Sequence, residues 1–168
     1  GILAAEKLGA ALGLMEDAWW IPTVPLVGAP WIALSERNSP GAIMVNTSGK
    51  RFMNESMPYV EAGHNMYGGQ YGQGPGPGEN VPAWLVFDQQ YRERYIFAGL
   101  QPGQRIPTKW MESGVIVKAD SLAELAELTS LPADALRATV ERFNGFARSG
   151  VDEDFHRGES AYDRYYGD

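Results

Sequence analysis

Ala42-Ile-Met-Val-Asn-Thr-Ser-Gly-Lys-Arg-Phe-Met-Asn-Glu55, followed by Pro58-Tyr59, is the stretch on which the reading of this chain turns. Ile43 to Asn46 is apolar and β-branched enough for a strand. Thr47-Ser-Gly49 is a turn, with a glycine free to take positive φ, and Lys50-Arg-Phe52 begins a return strand. Pro58 suits the first turn of a helix, which the sequence carries to Tyr67. Tyr59 therefore sits where a hairpin bends into a helix. On its own residues this site has two readings: Asn54-Glu55 as turn and cap chemistry with Tyr59 as packing, or Tyr59 as a phenol able to act as acid or base.

Outward from this centre the elements are short and mixed. Ile2 to Leu14 reads as a helix ended by Gly13, with Leu3, Leu8, Ala11 and Leu12 on one side. Trp19 to Trp31, with Pro22, Pro25 and Pro30, reads as an extended connection that packs its tryptophans. Residues 68–80, rich in Gly and Pro, are a loop and the expected mobile segment. Ala83 to Phe87 reads as a buried strand, with Asp88 capping a helix to Tyr95. Val115 to Lys118 is another strand candidate. Ser121-Leu-Ala-Glu124 is a capping box, and Pro132 to Ala147 a helix with Leu136, Val140, Phe143 and Ala147 on one face, ended by Gly150. No regular βαβ alternation or internal repeat is visible. The expectation is α+β: a small mixed or antiparallel sheet with several helices.

Bulk composition narrows the function. The 168 residues are enough for a domain with a core, and 44% apolar with 21% charged residues is ordinary for a globular chain. No apolar run reaches the roughly 20 residues of a membrane span. A net charge of −7 without a Lys/Arg cluster argues against nucleic acid. The absence of cysteine excludes disulfides, thiolate metal sites and a cysteine nucleophile, and fits a cytoplasmic location. No serine stands in a Gly-x-Ser-x-Gly elbow. His64 and His156 make no metal-ligand spacing; His64 reads as a partly exposed helix residue. Asp152-Glu-Asp154 lacks the ligand spacing of a calcium loop and reads as a solvated turn. The glycines of residues 68–78 alternate with prolines and cannot offer a row of N–H donors to a dinucleotide phosphate.

Residues 42–55 resemble the substrate-domain signature of the fumarate reductase and succinate dehydrogenase flavoprotein family. Where fumarate reductases carry an arginine proton donor four residues after the motif's Glu, this chain carries Tyr59. That pattern is similar to one branch, the FAD-dependent 3-ketosteroid Δ1-dehydrogenases. Leu8 to Trp20, Trp84 to Arg92, Val140 to Asn144, Phe146 to Asp154 and Arg157 to Tyr162 resemble the same branch. The resemblance implies a catalytic, substrate-binding domain over residues 1–168, with residues 1–20 as a lead-in helix from the flavin-domain side. In that branch a 3-ketosteroid loses a proton from C2 to a tyrosine and a hydride from C1 to N5 of FAD, in steroid catabolism. The tyrosine aligns with Tyr59. A free phenol, with pKa about 10, is a weak base near neutrality, and a place in the first helical turn would help it. The flavin-binding domain, a second tyrosine and the donors to the C3 carbonyl are implied to lie outside this stretch. FAD is expected in the complete enzyme and not bound to these residues alone. Leu34, Ile96 and Phe97 are candidates to line an apolar steroid groove, or else ordinary core. A fumarate reductase-like domain and a binding domain without chemistry are the alternatives.

Overall fold

A computed structural model describes residues 1–15, 17–68, 78 and 80–166. In chain order the elements are α1 (Ile2–Lys7), β1 (Thr23–Val24), β2 (Trp31–Ile32), α2 (Ser35–Asn38), β3 (Ala42–Asn46), α3 (Tyr59–Tyr67), β4 (Ala83–Phe87), α4 (Gln89–Arg94), α5 (Thr108–Glu112), α6 (Leu122–Thr129), α7 (Ala133–Ser149) and α8 (Asp163–Tyr166). Both sheets among the described residues are antiparallel pairs, β1 with β2 and β3 with β4. The fold is α+β, as the mixture of short elements implies.

β3 runs through the centre. Ala42, Ile43, Met44 and Val45 are all buried, so both of its faces are covered. This explains an apolar run without polar alternation. Ile43 and Val45, with Trp84 and Val86 of β4, pack on Ala126 of α6 and on Leu136, Val140 and Phe143 of α7. On the opposite face Met44 meets Met53 and Ala62, which brings α3 against the sheet. Ala42 and Phe87 join a third cluster with Leu26, Tyr91, Phe97 and Trp110.

The turn after β3 forms as expected. Gly49 has φ +71° and donates its N–H to the Asn46 carbonyl at 2.9 Å. A side chain there would also press on α7: an added Cβ would lie 3.1 Å from the Leu136 nitrogen. Thr139 of α7 donates to the Gly49 carbonyl at 2.8 Å, so the turn is docked on that helix. The return strand is reduced to a single bridge between Arg51 and Val45. Asp88 caps α4 by accepting from the Tyr91 N–H. Ser121 accepts from the Glu124 N–H at 3.1 Å, while the Glu124 carboxylate reaches back to the Asp120 N–H at 2.8 Å. The return bond thus goes one residue before the cap.

Several expectations are corrected. The helix expected to Leu14 ends at Lys7. None of its residues is buried, and a six-residue helix without a packed face has only weak local propensity to extend it. Val115 to Lys118 is not a strand; it turns back on α5, with the Ile116 N–H bonded to the Trp110 carbonyl at 3.2 Å. β4 is half-buried along its length rather than buried. Trp19 is exposed, whereas Trp20 packs on the Tyr67 ring at 5.3 Å. In α7 the buried aromatic near the end is Phe146, and Ala147 is exposed. The loop expectation for residues 68–80 falls largely on residues outside those described.

Candidate active site

Tyr59 is the first residue of α3, directly after Pro58, and is half-buried. Its hydroxyl makes no hydrogen bond among the described residues. What holds it is the bend behind it. Asn54 Oδ1 accepts from the Ser56 N–H at 2.8 Å, and its Nδ2 donates to Asp163 at 3.1 Å. Arg37 of α2 donates to the carbonyl of Glu55.

The Glu55 side chain is fully buried. Its carboxylate accepts from the Met44 N–H at 3.0 Å, Arg51 Nε at 2.8 Å, Arg51 Nη2 at 2.7 Å and Arg157 Nη1 at 3.2 Å. Arg51 also meets Asp152 at 2.8 Å and lies over the rings of Phe143 and Phe155. Arg157 donates further to the carbonyls of Ala42, Asn38 and Ser39. Two guanidinium groups, Arg51 and Arg157, thus face two carboxylates, Glu55 and Asp152, while a third buried guanidinium, Arg37, holds the Glu55 carbonyl. Burial alone would lower the Arg51 pKa; hydrogen bonds and charge from Glu55 and Asp152 reverse that and raise it. Arg157 is lowered, chiefly by burial. Arg37, buried and with its Nε unpartnered, is lowered to about 10 by desolvation.

The expectations for His64 and Asp152 are overturned. His64 is buried, and its Nε2 lies 2.9 Å from Asp17 Oδ1. Asp17 also accepts from the Trp20 indole at 3.0 Å. The lead-in segment is thereby seated on α3; an added Cβ on Gly63 would lie 2.4 Å from the Trp20 Cβ. Asp152 is a buried node, accepting N–H bonds from Asp154, Phe155 and Arg157 besides its pairing with Arg51. His156 is exposed and lies 2.8 Å from Glu159.

Leu34 and Ile96 are both exposed, and Phe97 lies in the core against Phe87. Leu34 precedes α2, and Ile96 precedes the turn that Glu36 of α2 holds through the Ala98 N–H at 3.0 Å. The same helix carries Arg37, which grips the bend before Tyr59. A separate groove of about 1220 Å³ is lined by Ile43, Val86, Phe87, Ile116, Leu125 and Phe143, among others, and includes none of Tyr59, Leu34, Ile96 or Phe97. Its lining also carries the charged residues Asp88, Arg92, Arg105, Lys118 and Asp120. Sequence reasoning missed Glu36, Arg37, Arg157 and the Asp17–His64 pair. The four-residue spacing of Arg51 and Glu55 was the one available signal of a charge network.

No parallel βαβ unit with a glycine-rich turn occurs among the described residues. No group of metal-ligating side chains occurs among them either. No helix among them is long and apolar enough to cross a membrane.

The chain belongs to the FAD binding domain family, which it matches over residues 1–167. Within that class it is 86% identical over its whole length to the 3-oxosteroid 1-dehydrogenase of Mycolicibacterium smegmatis, of which it covers 30%. It superposes with a TM-score of 0.83 on the crystal structure of 3-ketosteroid Δ1-dehydrogenase from Sterolibacterium denitrificans in complex with 1,4-androstadiene-3,17-dione. That match has 40% identity and covers 99% of this chain and 30% of the other. The open conformation of a flavocytochrome c3 fumarate reductase matches with a TM-score of 0.58 and 26% identity, over 94% of this chain and 24% of that one. The chain therefore spans about a third of the length of the ketosteroid-dehydrogenase relatives it matches. The likenesses agree with the flavoprotein resemblance drawn from residues 42–59.

Proposed function

We propose that residues 1–168 form the substrate-binding and catalytic part of a flavoprotein that dehydrogenates 3-ketosteroids between C1 and C2. Residues 1–20 lead in from a flavin-binding domain elsewhere in the same polypeptide, and the enzyme works in the cytoplasm on steroid breakdown. The observation that carries this reading is the setting of Tyr59. Its phenol opens a helix on a bend pinned by Arg37, Asn54 and Glu55, and its hydroxyl makes no hydrogen bond among the described residues. An available oxygen on a rigid mount is what proton abstraction beside a carbonyl requires. Tyr59 takes the C2 proton, C1 loses its hydrogen with the electron pair, and the C1–C2 double bond forms. FAD, when bound in the complete enzyme, would supply the hydride acceptor. Leu34 and Ile96 offer apolar surface to the rings of the steroid, backed by Phe97 in the core beneath.

Converting Tyr59 to Phe in the full-length flavoprotein tests this. A positioned general base contributes about 10²- to 10⁴-fold, so steroid-dependent reduction of an artificial acceptor should fall by that range while steroid binding persists. A rate that survives the change removes Tyr59 as the base. Fumarate reduction by the same protein, in place of steroid oxidation, would move it to the other branch.

A further inference from the structure

Glu36 is almost fully buried, yet its carboxylate meets no arginine or lysine among the ion pairs of the described residues. Its Oε1 accepts two N–H groups from separate parts of the chain, the Trp31 indole at 2.7 Å and the Ala98 backbone at 3.0 Å. Its own backbone carbonyl takes the Tyr91 hydroxyl at 2.7 Å, which fixes the one-turn helix α2 against the core.

The turn that Glu36 holds is unusual. Ala98 has φ +49° and Gly99 φ +79°, two left-handed residues in succession. Phe97 and Leu100 exchange N–H bonds at 3.1 and 2.9 Å across it. A left-handed alanine is disfavoured and persists where its surroundings impose it. The Trp31 ring lies directly on this turn: an added Cβ on Gly99 would sit 3.3 Å from the ring. Trp31, Ile32, Leu34 and Ile96 are nevertheless exposed. Two short segments, 31–34 and 96–99, thus present apolar side chains side by side, and one carboxylate oxygen joins them.

We infer that Glu36 is a positioning residue for substrate binding: it locks residues 31–34 and 96–99 into a single apolar platform for the body of the ligand. This rests on the ketosteroid reading above and assigns Glu36 no part in proton transfer. A platform that contacts the ligand equally before and during reaction affects KM and leaves kcat in place. A flat polycyclic ligand gains from having the platform set in advance, because less side-chain and backbone freedom is lost on binding.

The test uses the full-length flavoprotein with Trp31→Phe, Glu36→Ala and Glu36→Gln. Trp31→Phe keeps a ring and loses the indole N–H; Glu36→Ala loses the acceptor; Glu36→Gln keeps an oxygen that can accept both bonds. The first two should raise KM for a 3-ketosteroid about tenfold, with kcat within about twofold, and Glu36→Gln should restore KM to within about threefold. Androstenedione binding, followed by the flavin absorbance change in a Tyr59→Phe background, should weaken by the same factor without turnover. An unchanged affinity in both Trp31→Phe and Glu36→Ala overturns the inference while leaving the dehydrogenase reading intact. So does a loss confined to kcat. A wild-type protein that neither binds nor oxidises the steroid overturns the dehydrogenase reading, and this one with it.

Discussion

Glu55→Gln is the substitution that most directly tests the frame beneath Tyr59. The carboxylate is fully buried and accepts four N–H bonds, two at each oxygen. Glutamine has nearly the same shape but places an NH₂ where one oxygen stood. Whichever way the amide turns, it faces two donors it cannot satisfy. Two charge-assisted bonds at about 1.5–3 kcal/mol each give a loss of roughly 3–6 kcal/mol. The cluster also loses one of the two negative charges that face Arg51 and Arg157, and breaking a buried pair by removing one partner costs about 3–5 kcal/mol. The overlap of the two estimates is about 3–5 kcal/mol, a large share of the 5–15 kcal/mol typical of a whole domain. Hydrogen exchange in the full-length protein reads this locally. At about 1.4 kcal/mol per tenfold, β3 amides that exchange by opening of this region should do so roughly 100- to 4,000-fold faster in the variant. An acceleration below about tenfold would refute the view that Glu55 holds β3 to the bend.

Two further outcomes follow from the same geometry. Gly63→Ala adds a Cβ 2.4 Å from the Trp20 Cβ and 3.2 Å from its backbone carbonyl carbon; overpacking at about 1–3 kcal/mol should exceed the roughly 1 kcal/mol gained in helix propensity, so the thermal midpoint should fall and Trp20 emission shift to the red, and a stabilised variant would contradict the contact. For Asp152, burial pushes the carboxyl pKa up, but Arg51 and the N–H groups of Phe155 and Arg157 outweigh it and hold the pKa below the usual range. A depressed folded pKa stabilises fully above the unfolded value of about 3.9 and loses that contribution as pH falls through the lower folded value. The stability gap between wild type and Asp152→Asn should therefore be constant above about pH 5 and narrow towards pH 2; a gap that widens in acid would reverse the assignment.

Legibility followed distance along the chain. The β3 strand, the Gly49 turn, the Asp88 and Ser121 caps and α7 depend on residues a few positions apart, and each was readable from local pattern. The charge network was not, because Glu55 and Arg157 are 102 residues apart and charged side chains default to the surface. The same holds for His64 and Asp17, separated by 47, and for Ala98 and Glu36, separated by 62. The opposite error arose at α1 and at Val115 to Lys118. Apolar spacing there imitates a helix and a strand, but neither segment gains the packed face or the pairing strand that such patterns presuppose. Tyr59 was visible only because a motif surrounds it; no local rule separates a reactive phenol from a packed one.

The mounting of Tyr59 supports the role proposed for it. A packed tyrosine is held by its own contacts, and a buried hydroxyl normally finds a partner. The Tyr59 hydroxyl instead makes no hydrogen bond among the described residues, and its helix is fixed at three places by other residues. Before the helix, Arg37 grips the Glu55 carbonyl, and the Glu55 side chain binds β3 through the Met44 N–H. Midway, Asp17 and Trp20 seat the lead-in on His64 and Gly63. At its end, Asn80 donates its side-chain amide to the Asn65 carbonyl and its N–H to the Met66 carbonyl, and accepts from Asn46 at the end of β3. Rigidity thus reaches Tyr59 through the main chain, while its oxygen makes no hydrogen bond among the described residues. Such a mount can be loosened from afar. Arg157 lies close to the far end of the sequence, yet it reaches Glu55, Ala42 and both residues that close α2. Loss of its guanidinium would release the strand and the bend together, and on the proposed reading would slow the reaction at Tyr59 from a distance.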